Sequence, residues 1–190
     1  ERGLVSGGSG GPHSGCKREI LEGGVRVPTL AWWPGKIPAA SAVDAVAGTI
    51  DLLPTIVTLA GGTVPAEPII DGRDISPILL GNSKQSPREA HYYFKGYDLE
   101  AIRQGPWKLA LAPQIETMGR SVSDDAKDAQ PRLYNLDKEI GERTNVAAQN
   151  PEIVAKLTAL AEKMKADIGK AGGPASRPAG KVQNPQPLYP

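Results

Sequence analysis

The chain is predicted to be α/β: the closing part of an α/β layer, followed by a small α+β module made of an antiparallel sheet and one packed helix. Three observations carry this. An apolar, β-prone stretch at 25–33 precedes a helix-period stretch at 49–60. From Ala90 the pattern changes to short aromatic or alternating segments separated by turn residues. Residues 151–169 then carry the clearest amphipathic stripe in the chain.

The elements follow in order. Residues 1–16 are rich in Gly and Ser and are expected to be poorly ordered unless something clamps them. "VRVPTLAWW" (25–33) reads as a strand, with Pro28 placing it at an edge or a strand start. A regular strand would send Trp32 and Trp33 to opposite faces, one to the core and the other to a neighbouring element. "WPGKIPAAS" is a turn. "TIDLLPTIVTLA" (49–60) predicts a helix with Leu53, Ile56, Val57 and Ala60 on one face, Thr49 or Asp51 as cap and Gly61-Gly62 as its stop. "DISPILLG" predicts a short helical turn capped by Asp74 and ended by Gly81.

"AHYYFKG", "EAIRQG", "WKLALAP" and "RLYNL" predict the antiparallel sheet. The polar run 115–130 between the last two reads as a surface loop, solvated rather than cation-binding despite its "SDDAKDAQ". Asn150 and Pro151 open the last helix, and its stripe of Ile153, Val154, Leu157, Leu160, Ala161, Met164 and Ile168 is expected to pack on the sheet rather than offer a partner groove. The division expected is 1–85 for the end of the α/β domain, 86–170 for the small module, and 171–190 for an extended or disordered tail.

Composition excludes several function classes. A net charge of +1 gives no reason to expect nucleic acid or an anionic membrane as partner. No apolar run reaches the roughly 18 residues of a membrane span. The single cysteine, Cys16, cannot form an intramolecular disulfide. The opening "ERGLVSGG" shows neither a signal peptide nor an initiator Met, so a processed chain or a fragment is expected.

Residues with chemistry are few. His13 and His91 are the only histidines, and neither stands in a metal-binding spacing. Cys16 adjoins Lys17 and Arg18, but no base is placed beside it and it reads as incidental. Lys17 has the more suggestive setting. The glycines before it let backbone approach a ligand, and its ammonium is a compact charge suited to an anionic oxygen. Glu22 and Arg26 flank Gly23-Gly24 just beyond it. The residues alone leave two readings open: an anion contact, or an exposed charge cluster of Lys17, Arg18 and Glu19.

The pattern K-x-x-x-x-E-G-G-x-R-x-P, present as Lys17, Glu22, Gly23, Gly24, Arg26 and Pro28, resembles the second half of a formylglycine-dependent sulfatase of the arylsulfatase type. "WWPGKIPA", "AGTIDLLPTIVTLAGG", "IIDGRDISPILLG", "YYFKGYDLEAIRQGPWKLAL" and "LYNLDKEIGERTNVA" follow in that family's order, so the resemblance covers roughly residues 11 to 165. It implies an α/β fold: the end of an alkaline-phosphatase-like sulfatase domain followed by a small α+β C-terminal domain. It implies that Lys17 binds the sulfate group and offsets the charge on its oxygens as the ester S–O bond breaks. It also places the region of His91 and Tyr92 near the pocket mouth, where substrate contact is one reading and an aromatic core strand the other; His13 is a further candidate contact.

The departures are equally informative. The family's nucleophile, a Cys or Ser in C/S-x-P-x-R that becomes formylglycine, is absent; Cys16 is followed by Lys-Arg-Glu. The family's ligands for Ca2+ are expected upstream, and Asp51, Asp71 and Asp74 match structural positions, with Asp51 and Asp74 as helix caps. The expectation is therefore a C-terminal portion, inactive alone, whose partners are a sulfate-ester substrate and the missing N-terminal portion. By family analogy the protein would be periplasmic, secreted or lysosomal. Two other readings stand beside it: a phosphate or phosphonate ester hydrolase of the same superfamily, and a non-catalytic piece that only binds.

Overall fold

The computed structural model describes residues 10–17, 19–112, 131–168 and 177. The expectations for residues 1–9, the polar run 115–130 and nearly all of the tail fall outside them.

Four strands form one antiparallel meander in the order β1-β2-β3-β4: β1 (His91–Lys95), β2 (Asp98–Gln104), β3 (Trp107–Ala110) and β4 (Arg132–Asn135). The register explains what each face does. Tyr92, Ile102, Leu109 and Leu133 pair across all four strands as one rung. That rung packs with Leu99, Leu157 and Ala161 into the main core, which Ile153, Val154, Leu160 and Met164 border. The last four belong, with Leu157 and Ala161, to the final helix Pro151–Ile168, so the predicted stripe lies on the sheet. Asn150 opens that helix through its carbonyl, which accepts from the Ile153 and Val154 amides at 3.1 Å, while its side-chain amide donates to the Val146 carbonyl at 2.8 Å.

The neighbouring rung, His91–Arg103–Lys108–Tyr134, alternates to the opposite face. Period-2 alternation with Arg and Lys ordinarily marks a solvated face. Here Lys108 is fully buried and Arg103 nearly so, because residues 19–22 lie over them.

The segment before the sheet is short-period and loop-rich. It holds α1 (Glu22–Val25), a 3-10 turn (Thr49–Asp51) that runs into α2 (Leu52–Leu59), and α3 (Ser76–Leu79); the final helix is α4. The strand expected at 25–33 does not form. A strand exists through its ladder partner, and none of the four described strands pairs with this stretch. Val27, Leu30 and Trp32 stand 68%, 99% and 87% exposed, and Trp33 is also exposed, so neither tryptophan is core.

Helix α2 forms where expected, and Gly61 and Gly62 end it by donating to the Thr58 and Val57 carbonyls. Its predicted apolar face is not covered: Leu53 and Ile56 are exposed, whereas Pro54 and Thr55 are buried. Thr55 Oγ1 donates to the Asp51 carbonyl at 2.6 Å and accepts from the Ile75 amide at 3.0 Å, which ties α2 to α3. Asp51 does more than cap. Its carboxylate accepts from the Gly48 amide at 2.8 Å and the Arg73 amide at 2.7 Å, and it forms a buried ion pair with Arg88. The N-cap of α3 is Ile75 rather than Asp74; Asp74, one residue earlier, accepts from the Ser76 amide at 2.8 Å and from its hydroxyl at 3.0 Å.

Candidate functional site

Residues 10–17 and 19–21 belong to a tight loop whose closure explains the glycine pair after it. Helix α1 lies so close to the loop backbone that a Cβ on Gly23 would sit 2.6 Å from the Ser14 carbonyl oxygen. One on Gly24 would sit 2.2 Å from that of Glu19. No other residue fits at either position. These two glycines therefore serve the loop's own packing. Inside the loop the Glu19 carboxylate is buried and accepts from the Cys16 amide at 2.8 Å, folding the chain back around position 17. Lys17 is left at the exposed turn. Its side chain makes no hydrogen bond or ion pair with the described residues.

A buried charge cluster holds this loop to the sheet. Glu22 is at its centre, with its side chain 1% exposed. Its Oε1 accepts from Tyr93 Oη at 2.9 Å and from Lys108 Nζ at 3.1 Å. Its Oε2 accepts from Arg103 at 2.8 Å and pairs with Arg26 at 3.0 Å. Lys108 Nζ also donates to the Ile20 carbonyl at 2.6 Å, pairs with Glu142 at 2.8 Å, and lies 4.4 Å from the centre of the Tyr93 ring. Glu142 completes the circuit by accepting from the Glu22 amide at 2.6 Å.

Three cations thus face two carboxylates, and the two carboxyls shift in opposite directions. Burial pushes Glu22 up, but Lys108, Arg103 and the Tyr93 hydroxyl outweigh it and hold the group below its ordinary value. For Glu142 burial wins over Lys108, and the group lies above its ordinary value. Burial and the neighbouring Glu22 push Tyr93 far up, so it is a neutral donor.

The expected site residues fall in two places. His13 and Lys17 share the loop. His13 is half-buried, and its Nε2 accepts from Arg26 at 3.3 Å because a guanidinium has only donors. The Ser14 hydroxyl donates to the Gly141 carbonyl at 2.6 Å. His91 and Tyr92 lie on β1, and Tyr92 packs at the border of the main core. His91 stacks edge-on to Tyr93 and lines a cleft of about 360 Å³ with Arg88, Arg103 and Asp137. Burial, reinforced by Arg88, holds its imidazole below the ordinary value, so it is neutral near pH 7. Among the described residues no hydrogen bond or ion pair joins Lys17 to His91 or Tyr92; the loop reaches the sheet through Glu22 and its partners.

Sequence reasoning named Glu22 and Arg26 but missed Arg103, Lys108 and Glu142. The available signal was a lone lysine inside the apolar run "PWKLALA". Read by alternation, it belonged to a wet face. Among the described residues no group of three or more His, Cys, Asp or Glu could hold a metal ion.

Comparison with known proteins bears on this arrangement. A family model described as "N-sulphoglucosamine sulphohydrolase, C-terminal" matches residues 14–168. Human arylsulfatase A is 36% identical over 185 residues, which covers 88% of this chain and 36% of that protein. Canine N-acetylgalactosamine-6-sulfatase is 39% identical over 168 residues, covering 80% of this chain and 32% of that protein. A Bacteroides thetaiotaomicron protein, solved in work on the metabolism of multiple glycosaminoglycans, superimposes with a TM-score of 0.65 at 30% identity, over 79% of this chain and 31% of its own. The fold is also that of a Pseudoalteromonas sulfatase, with a TM-score of 0.70 at 24% identity, covering 82% of this chain and 32% of its own. The chain thus spans about a third of the length of the relatives it matches.

Proposed function

The chain belongs to the N-sulphoglucosamine sulphohydrolase C-terminal family of the sulfatases, and from that premise we propose that the full-length protein hydrolyses a sulfate ester to an alcohol and inorganic sulfate, with Lys17 as one of the groups that hold the sulfate. The observation that carries this reading is the setting of Lys17. It is an exposed ammonium without a protein partner among the described residues, on a loop whose shape is fixed on both sides of it.

The chemistry follows from charge. A bound sulfate ester already carries negative oxygens, and cleavage of the S–O bond puts further charge on the leaving oxygen. A preplaced ammonium donates to those oxygens without having to reorganise at the moment of reaction. Glu19 and Glu22 do not neutralise it, since their carboxylates are turned into the loop and the sheet. His13, His91 and Tyr92 are candidate contacts for the rest of the substrate.

The calcium ion and formylglycine that the family implies do not fit the described residues: no acidic or histidine cluster is suited to a metal, and Cys16 is followed by Lys-Arg-Glu. On this reading turnover belongs to the full-length protein.

The test is a paired assay of the full-length protein on 4-nitrophenyl sulfate and 4-nitrophenyl phosphate. Faster sulfate release, reduced on the order of 10²–10³-fold by Lys17→Ala, is the expected result. Preferential phosphate release would replace the reading with a phosphoester hydrolase. Retention of sulfate that depends on Lys17, without any turnover, would replace it with a binding module.

A further inference from the structure

We infer that Lys108 and Glu142 on the C-terminal module, acting through Glu22, are positioning residues that set where the Lys17 ammonium stands. The inference rests on the reading of Lys17 as a sulfate-binding group, and it assigns a role to residues that do not touch substrate.

The geometry is a clamp on both flanks of position 17. On the N-terminal side the Ser14 hydroxyl donates to the Gly141 carbonyl at 2.6 Å, three residues before Lys17. On the C-terminal side Lys108 Nζ donates to the Ile20 carbonyl at 2.6 Å, three residues after it. Glu142 then accepts from the Glu22 amide at 2.6 Å. The two contacts from Gly141 and Glu142 come from adjacent residues, so one short segment grips both ends of the loop. Because the Lys17 side chain makes no hydrogen bond or ion pair with the described residues, its location depends on where the backbone between these pins is held.

Lys108 is equipped for this. Its side chain is 0% exposed, so it reaches no substrate. Its ammonium, which has only donors, donates to the Ile20 carbonyl and to Glu22 and forms an ion pair with Glu142. A buried ion cluster is often no more stabilising than an apolar replacement of the same volume, so its presence suggests a demand for one defined geometry. Glu142 adds a second indication. It holds φ at +54°, a left-handed backbone that a non-glycine residue adopts at a cost. That conformation directs its carboxylate at the Glu22 amide and at Lys108.

The experiment is a double-mutant cycle in the full-length protein, read as kcat/KM for 4-nitrophenyl sulfate, with hydrogen exchange of residues 19–24 alongside. Lys108→Met is expected to lower kcat/KM on the order of 10²-fold, as a displacement of about 1 Å at a binding group does. In the Lys17→Ala background the same change should cost less than about threefold, because its effect passes through Lys17. Glu142→Gln, which keeps an acceptor for the Glu22 amide, should retain most of the activity that Glu142→Ala loses. If Lys108→Met does not fold, Ser14→Ala takes its place in the cycle, since it removes a single contact of the opposite pin. Faster exchange at 19–24, with the β2–β3 ladder unchanged, is expected in either variant. Equal losses with and without Lys17, or unchanged exchange at 19–24, would overturn the inference. If the protein released no sulfate at all, the reading of Lys17 would fall, and the exchange measurement would still decide whether Lys108 and Ser14 hold the loop.

Discussion

Glu22 receives hydrogen bonds or ion pairs from Tyr93, Lys108, Arg103 and Arg26 and is almost completely buried, so the consequences of removing any partner can be worked out residue by residue. Lys108→Met leaves two carboxylates buried with one cation fewer. Breaking a buried pair from one side costs about 3–5 kcal/mol, and urea denaturation of the full-length protein should show a loss of that size. The pH dependence has two opposing parts. Glu22 is held below its ordinary 4.5, so its contribution is complete above that pH and is lost as pH falls through the lower folded value. Asp51 behaves likewise from an ordinary 3.8: burial raises it, but Arg88 and the Arg73 and Gly48 amides outweigh burial. Glu142 has the reverse sign. Its folded value is raised, so its contribution is complete below 4.5 and declines as pH rises through the folded value. Glu142→Gln abolishes that decline. Its Tm relative to the unmodified protein should therefore rise between pH 4.5 and pH 8, and a flat or falling difference would contradict the assignment.

At the scale of elements, the parts legible in the sequence are those whose packing partners lie inside the chain. The stripe from Ile153 to Met164 predicted α4 because its surface is the rung Tyr92–Ile102–Leu109–Leu133, which lies in the same polypeptide. Leu157→Ala should accordingly cost about 2–5 kcal/mol, seen as a lower Tm. The stretch 25–33 has strand composition but no ladder partner among the described strands, so its composition and its conformation part ways. Lys108 and Arg103 were illegible for a different reason. Alternation marks which face a residue takes, and it cannot say that a loop nearly ninety residues upstream covers that face. The Lys17 motif was legible as a pattern, whereas the reason for its glycines was not. Gly24→Ala tests that reason: its Cβ would collide with the Glu19 and Cys16 carbonyl oxygens. The loop should open, and sulfate turnover should fall toward that of Lys17→Ala while the α4–sheet core still melts cooperatively.

At the scale of the whole molecule, the described residues leave several large apolar side chains exposed. Leu30, Trp32, Leu53, Ile56 and Ile69 are each more than half exposed, at 99%, 87%, 57%, 61% and 54%, and they fall on the segments that precede the sheet. Isolated exposed apolar residues are ordinary, but such a concentration in the half of the chain nearest its N-terminus marks a surface that expects a cover. The isolated chain should self-associate in sizing experiments; a monodisperse monomer with one cooperative calorimetric transition would count against this. The proposed function depends on Lys17, whose exposed ammonium stands on the clamped loop. The most direct test is kcat/KM for 4-nitrophenyl sulfate in the full-length protein and in its Lys17→Ala variant. A loss on the order of 10²–10³-fold with an unchanged Tm is the predicted result, and equal turnover by the two folded proteins would contradict the account.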